Sequence, residues 1–154
     1  MYITERHSGR KHKVVIEPVT DKDYRVILKS RFFFNWKTEK TGKVYKLRCT
    51  DSNTILGLIS LKNWTEEKRI EIKLLSVSVE NRGRSKQCER ITGTLIAYAC
   101  RNAVKYFGKQ ACVSLVPKTD LRQHYMKKYG MQDAGWQIFL EGLSLLKILN
   151  EYIL

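Results

Sequence analysis

Asn81-Arg-Gly-Arg-Ser-Lys-Gln-Cys-Glu-Arg-Ile-Thr-Gly-Thr-Leu-Ile-Ala-Tyr-Ala-Cys-Arg-Asn-Ala-Val-Lys-Tyr-Phe107 is a basic, glycine-containing loop that runs straight into a long apolar segment. Ile91, Leu95, Ala99 and Ala103 recur every fourth residue, and Ile96, Cys100, Val104 and Phe107 form a second stripe beside them. Two apolar stripes at helical spacing predict a helix buried against a sheet, stopped by Gly108. The first amides of such a helix have no acceptor within it, and the aligned peptide dipoles put partial positive charge there. Arg82, Arg84, Lys86 and Arg90 add full charges beside them, the arrangement that holds a phosphate or pyrophosphate. A solvated basic loop with a turn glycine at Gly83 is the other reading of these residues, and both stay open.

Outward from this stretch, the pattern is that of a mixed α/β protein. Arg69–Val77 precedes the loop and reads as a strand, and Ala111–Val116 is a continuous apolar run expected of a central strand covered on both faces. Strand, buried helix and strand imply a parallel pair with a right-handed crossover. Upstream, Lys43–Cys49 alternates polar and apolar, Asp51-Ser52-Asn53 is turn chemistry, and 54–61 reads as its partner, so three antiparallel strands precede the loop. Val14–Val19 is a β-branched run closed by Pro18, and 21–29 is one or two helical turns. Phe32, Phe33, Phe34 and Trp36 read as core under the sheet. Downstream, Thr119 is expected to cap a helix over 121–129 ended by Gly130, followed by a strand at 136–140 and a terminal helix at 143–154. Residues 1–12 read as a flexible basic tail, and 13–154 as a single domain with no linker or repeat.

Composition narrows the function. With 29 Lys and Arg against 15 Asp and Glu, the net charge of +14 attracts polyanions, from nucleic acid to phosphorylated ligands, without choosing among them. Cys49, Cys88, Cys100 and Cys112 form no CxxC pair, and with only 3 histidines no metal site is expected. Cys100 and Cys112 read as buried free thiols; Cys88, at the head of the helix, is the one whose position favours a thiolate, although packing is its simpler role. There is no secretory signal and no apolar run of about 20 residues, so a cytoplasmic protein is expected.

Three stretches carry a resemblance: Phe-Phe-Phe-Asn-Trp-Lys at 32–37, Leu-Gly-Leu-Ile-Ser-Leu at 56–61, and Pro-Lys-Thr-Asp-Leu-Arg-Gln-His-Tyr-Met-Lys-Lys-Tyr-Gly at 117–130. With the element order just described, the chain from about Val14 onward resembles small bacterial members of the GCN5-related N-acetyltransferase (GNAT) family. The resemblance implies a GNAT-like acyl-CoA N-acyltransferase fold and transfer of acetyl from acetyl-CoA, as co-substrate, to an amine-bearing acceptor by direct attack, without a metal.

Residue by residue, the resemblance places an acetyl-CoA loop over Gln87–Leu95, including Ile91 and Gly93. Gln87 and Leu95 fit its pattern, whereas Arg90 stands where a glycine belongs and Thr92 where a smaller residue belongs. Leu75, Ser76 and Val77 correspond to the strand end that holds the pantetheine arm through backbone groups. Tyr125, five residues before Gly130, corresponds to the general acid. It reads equally as part of a packing face with Leu121 and Tyr129. Glu71 is the acid on the strand where some relatives carry a base, and reads also as a solvent-facing or ion-paired residue. A second function fits the charge: a nucleic-acid- or ribosome-associated module on the same fold with a degenerate cofactor loop. The two combine in a transferase whose acceptor is acidic or bound to nucleic acid. The leucine-rich C-terminus as a dimerisation element is a third reading, with docking on its own sheet as the simpler one.

Overall fold

The computed structural model describes residues 1–153, with the side chain of Thr119 outside that description. The cap expected from Thr119 and the last helical position at Leu154 therefore lie outside the described residues. Contacts gather the chain into two compact units, Met1–Ser60 with Leu74–Leu95 and Leu61–Lys73 with Ile96–Leu154.

The first unit is built from strands. β1 (Tyr2–Glu5) and β2 (Lys11–Pro18) pair antiparallel, with Tyr2 opposite Lys13 and Thr4 opposite Lys11. The expected tail is therefore a strand: Ile3 is wholly buried, and pairing on both sides outweighs the polar character of its neighbours. On its other edge β1 meets β6 (Cys88–Glu89), with Thr4 opposite Glu89 and Glu5 opposite Cys88. β3 (Lys43–Cys49) pairs with β2 from Val14–Cys49 to Pro18–Tyr45. Pro18, which cannot donate to a ladder, closes the strand as its ring requires. A short helix, α1 (Lys29–Phe32), ends at Phe33, whose φ of 71° is left-handed. Phe32 and Trp36 are essentially fully buried and cluster with Tyr24, Ile27, Val44, Ile55 and Leu58, while Phe34 and Leu74 pack at the margin. The aromatic run is thus core at Phe32 and Trp36 and half-exposed at Phe33 and Phe34.

β4 (Ile55–Trp64) and β5 (Arg69–Val77) are joined by a turn at 65–67. Each contributes to both units, as does α2 (Ile91–Phe107), which covers the residues expected. In the second unit, β5 and β7 (Cys112–Leu115) pair parallel, from Arg69–Cys112 to Ile72–Leu115, as the buried crossover demands. α3 (Arg122–Tyr129) follows a 3₁₀ turn at Thr119–Leu121 and ends at Gly130, φ = 70°, whose amide closes on Met126. β8 (Gln132–Ala134) and β9 (Gln137–Glu141) form a hairpin on β7, and α4 (Gly142–Tyr152) packs on β7 and β9 through Leu145, Ile148 and Tyr152. Among the described residues the strands are hydrogen-bonded in the order β6-β1-β2-β3-β4-β5-β7-β9-β8. No helix among them is long and apolar enough to cross a membrane.

Candidate functional site

The residues expected to hold an anion all belong to the first unit, at the end of β5, in the loop 78–90 and on the first turn of α2. Ser78 N–H donates to Leu56 O at 2.9 Å. Leu75, Ser76 and Val77 are the last residues of β5, directly before Ser78. The β7 register ends at Ile72, and β5 runs on to Val77. At this strand end the Ser76 hydroxyl is buried with no hydrogen-bond partner among the described residues, a costly state unless a further group meets it.

The loop is pinned at both ends. Buried Asn81 donates from its side-chain amide to Ser78 Oγ at 3.0 Å, and its Oδ1 accepts the Cys88 amide at 2.9 Å. Arg31 reaches Glu80 at 2.6 Å. Burial raises the Glu80 carboxyl, but Arg31, its own amide and Ser78 outweigh burial and hold it below the usual carboxylate range. The Gln87 amide donates to Glu80 O at 3.1 Å, and Gln87 O accepts the Arg6 amide at 2.9 Å.

Arg90 decides the shape of the helix start. Its φ is +81°, the left-handed conformation that a glycine adopts freely and that costs an L-residue about 1–2 kcal/mol. Its carbonyl accepts both the Thr94 amide, at 3.0 Å, and Thr94 Oγ1, at 2.6 Å. The first helical bond from an amide is therefore that of Thr94, and the amides of Ile91, Thr92 and Gly93 have no acceptor inside the helix. No acidic residue stands in this first turn. The Arg90 side chain turns to β1: Nε donates to Tyr2 O at 3.3 Å and the guanidinium lies 4.2 Å from the Tyr2 ring centroid. Gly57 sets the approach of the helix to the sheet. A methyl there would stand 2.9 Å from Leu95 Cδ1 and 3.0 Å from Ile91 Cγ2.

No protein-family model and no curated protein matches the chain. Solved structures do match. A GNAT family acetyltransferase from Elizabethkingia anophelis with acetyl-CoA bound is 16% identical, with 84% of this chain and 98% of that chain covered at a TM-score of 0.61. The spermidine/spermine N-acetyltransferase of Vibrio cholerae is 12% identical, with coverage of 90% and 98% and a TM-score of 0.61. The ribosomal-protein-S18-alanine N-acetyltransferase of Escherichia coli is 12% identical, with coverage of 82% and 90% and a TM-score of 0.58. The chain has the GNAT fold.

Within this GNAT fold, Leu75, Ser76, Val77, Arg82, Arg84, Lys86, Gln87, Arg90, Ile91, Thr92 and Gly93 all belong to the first unit. The four basic side chains do not converge as the sequence alone implied. Arg82 lies 3.9 Å over the Phe33 ring, Lys86 pairs with Glu89 at 3.2 Å, Arg90 stacks on Tyr2, and the exposed Arg84 offers its carbonyl to Arg6. Tyr125 and Glu71 belong to the second unit. Tyr125 is half-buried, its ring 5.8 Å from buried Tyr129 and 6.0 Å from His124. Glu71 Oε1 accepts the Trp64 indole N–H at 3.1 Å, and Lys62 and Arg69 lie over that indole.

Cys88 corrects one expectation. Burial, with Cys49, Glu5 and Glu80 nearby, raises its thiol rather than favouring a thiolate. Burial likewise raises Cys100, and Cys112 is pushed up to about 11. Among the described residues no three His, Cys, Asp or Glu side chains gather as metal ligands. Tyr2, Asn81 and the Arg31–Glu80 pair were not anticipated. Asn81 directly after a strand is loop chemistry that could have been flagged. The others join residues 49 or more positions apart, beyond any local signal.

Proposed function

We propose that this chain is an acetyl-CoA-dependent N-acetyltransferase. The observation that carries the proposal is Arg90: it stands where the resemblance places a glycine and has a glycine's backbone, φ = +81°. The loop geometry that glycine serves is thereby kept, with three first-turn amides free of helical acceptors and no acidic side chain within that turn. Those amides, with Arg84 and Lys86 nearby in sequence, are the proposed holders of the CoA pyrophosphate. The backbone of Leu75, Ser76 and Val77, where β5 runs on past its β7 register, is the proposed holder of the pantetheine arm, as a strand edge holds another strand.

Acetyl-CoA would supply a thioester carbonyl open to attack by an amine, with the CoA thiolate as leaving group. Tyr125 Oη is the proposed proton donor to the departing sulfur, the role its place before Gly130 implies. Glu71, oriented by the Trp64 indole, is the carboxylate nominated to take the acceptor's proton. Acetyltransferases with this fold act on spermidine and spermine or on an alanine of ribosomal protein S18, each an amine-bearing acceptor, and an amine is the acceptor class proposed here.

Calorimetric titration with acetyl-CoA and with 3′-dephospho-CoA tests the proposal. Micromolar binding is expected, weaker without the 3′-phosphate. Ligand at about 100 times its Kd should stabilise the protein by about 2.7 kcal/mol. No heat and no rise in Tm at millimolar acetyl-CoA would overturn it.

A further inference from the structure

An arginine in a left-handed conformation carries a bulky side chain where a glycine would leave open space. Unless that side chain is held, it can fall across the amides of Ile91, Thr92 and Gly93, and the backbone is free to relax toward negative φ. In this chain it is held twice by one residue. The guanidinium lies 4.2 Å from the Tyr2 ring centroid, and Nε donates to Tyr2 O at 3.3 Å. Lys11 lies 4.5 Å from the same ring, so Tyr2 carries two cations. Tyr2 is itself fixed, because β1 pairs with β2 at Tyr2–Lys13 and with β6 at Thr4–Glu89, immediately before Arg90. The Arg6 amide adds a bond to Gln87 O at 2.9 Å. β1 thus grips the phosphate loop along the residues that precede the helix.

We infer that Tyr2 is a positioning residue for the cofactor loop: it parks the Arg90 side chain and keeps the φ-positive backbone open toward the pyrophosphate. The inference rests on the acetyl-CoA reading above. In this chain the pair Tyr2–Arg90 does what a bare glycine would do, with the positive charge retained close to the loop. The Phe33–Arg82 stack at 3.9 Å repeats the device at the loop's other end, with a second aromatic residue restraining a second arginine.

The test is a two-by-two titration with acetyl-CoA, using wild type, Tyr2→Ala, Arg90→Gly and the double variant, with Tyr2→Phe and Tyr2→Leu as controls. Tyr2→Ala and Tyr2→Leu are expected to raise the Kd about tenfold, the scale of one partly desolvated cation–π contact. Tyr2→Phe keeps the ring and should stay within about twofold of wild type. In the Arg90→Gly background, where no side chain needs parking, Tyr2→Ala should change the Kd by less than about twofold. Tyr2→Leu keeps apolar volume on β1, so it carries the test if Tyr2→Ala does not fold. An unchanged or tighter Kd in Tyr2→Ala and Tyr2→Leu, or an equal loss in the Arg90→Gly background, would overturn the inference while leaving acetyl-CoA binding standing. Wild-type protein that binds no acetyl-CoA would remove the reading beneath it, and the inference with it.

Discussion

Replacing Gly57 by alanine sets two effects of opposite sign against each other. A β-carbon at this position would sit 2.9 Å from Leu95 Cδ1, 3.0 Å from Ile91 Cγ2 and 3.6 Å from Ser76 O. Leu95 is wholly buried and Ile91 is 3% exposed, so a shift of the Leu95 methyl must be taken up within the core. Ile91 Cγ2 is attached directly to Cβ, so it moves only if the helix backbone moves. Overfilling a closed core costs about 1–3 kcal/mol. Against this, an alanine restricts the unfolded chain and returns about 0.4–1 kcal/mol. The overlap wins, with a net loss of about 1–2 kcal/mol. At roughly 2–4 °C per kcal/mol for a chain of this length, Tm should fall by about 2–8 °C. Thermal and urea unfolding read this directly. Adding Ile91→Leu removes the branched methyl while keeping the volume, and should recover part of the loss as a favourable coupling between the two sites. Because Ile91 opens α2, Gly57→Ala should also weaken acetyl-CoA binding, and Ile91→Leu should restore it. A Gly57→Ala protein as stable as wild type, or more so, would refute the close helix–strand approach from which the numbers come.

Tyr125→Phe, under the proposed mechanism, should lower kcat about 10²–10⁴-fold with little change in KM in steady-state assays; unchanged kcat would return Tyr125 to the packing face of α3. Glu71→Gln should lower kcat while leaving Tm near wild type, since a half-buried side chain is replaced by an isostere. A Glu71→Gln kcat equal to wild type would remove Glu71 as base. Glu80→Gln should cost about 1 kcal/mol at pH 7 by weakening the half-buried Arg31 pair. The folded-state pKa of Glu80 lies below its unfolded value near 4.5, so its contribution is full above that value and fades as pH falls further. The Tm values of wild type and Glu80→Gln should therefore separate at neutral pH and approach each other as pH falls below the unfolded value; a gap independent of pH would contradict the pairing.

The regular parts of the fold were legible because each had enough residues to express a period. Lys43–Cys49 alternates over its full length, Arg69–Val77 was bounded by turn chemistry, and the two stripes of 91–107 could be nothing but a buried helix. β6 and β8 were not legible, since two or three polar residues carry no periodicity. β1 was hidden for a different reason. Thr4, Glu5 and Arg6 look like a solvated tail, and only pairing to distant partners buries Ile3. In the candidate site, position was legible and conformation was not. The count from Leu95 placed Arg90 in a glycine's seat, but neither its positive φ nor its bond to Tyr2, 88 positions away, lies within a local window. Lys86 and Arg82 were read as free charges, and the structure commits both to neighbours, Glu89 and Phe33.

The grip of β1 on the loop also bears on how the protein acquires its shape. Arg90 Nε and Tyr2 O are 88 positions apart, and Arg6 reaches Arg84 across 78. Contacts this distant in sequence form late, after closer pairings have repaid the entropy of closing the intervening chain. β1 leaves the ribosome long before its β6 partner is made, and can meet only β2 in the interval. The start of α2 thus waits for the opposite end of its own unit, and refolding protein should regain its strands before it regains a working cofactor loop.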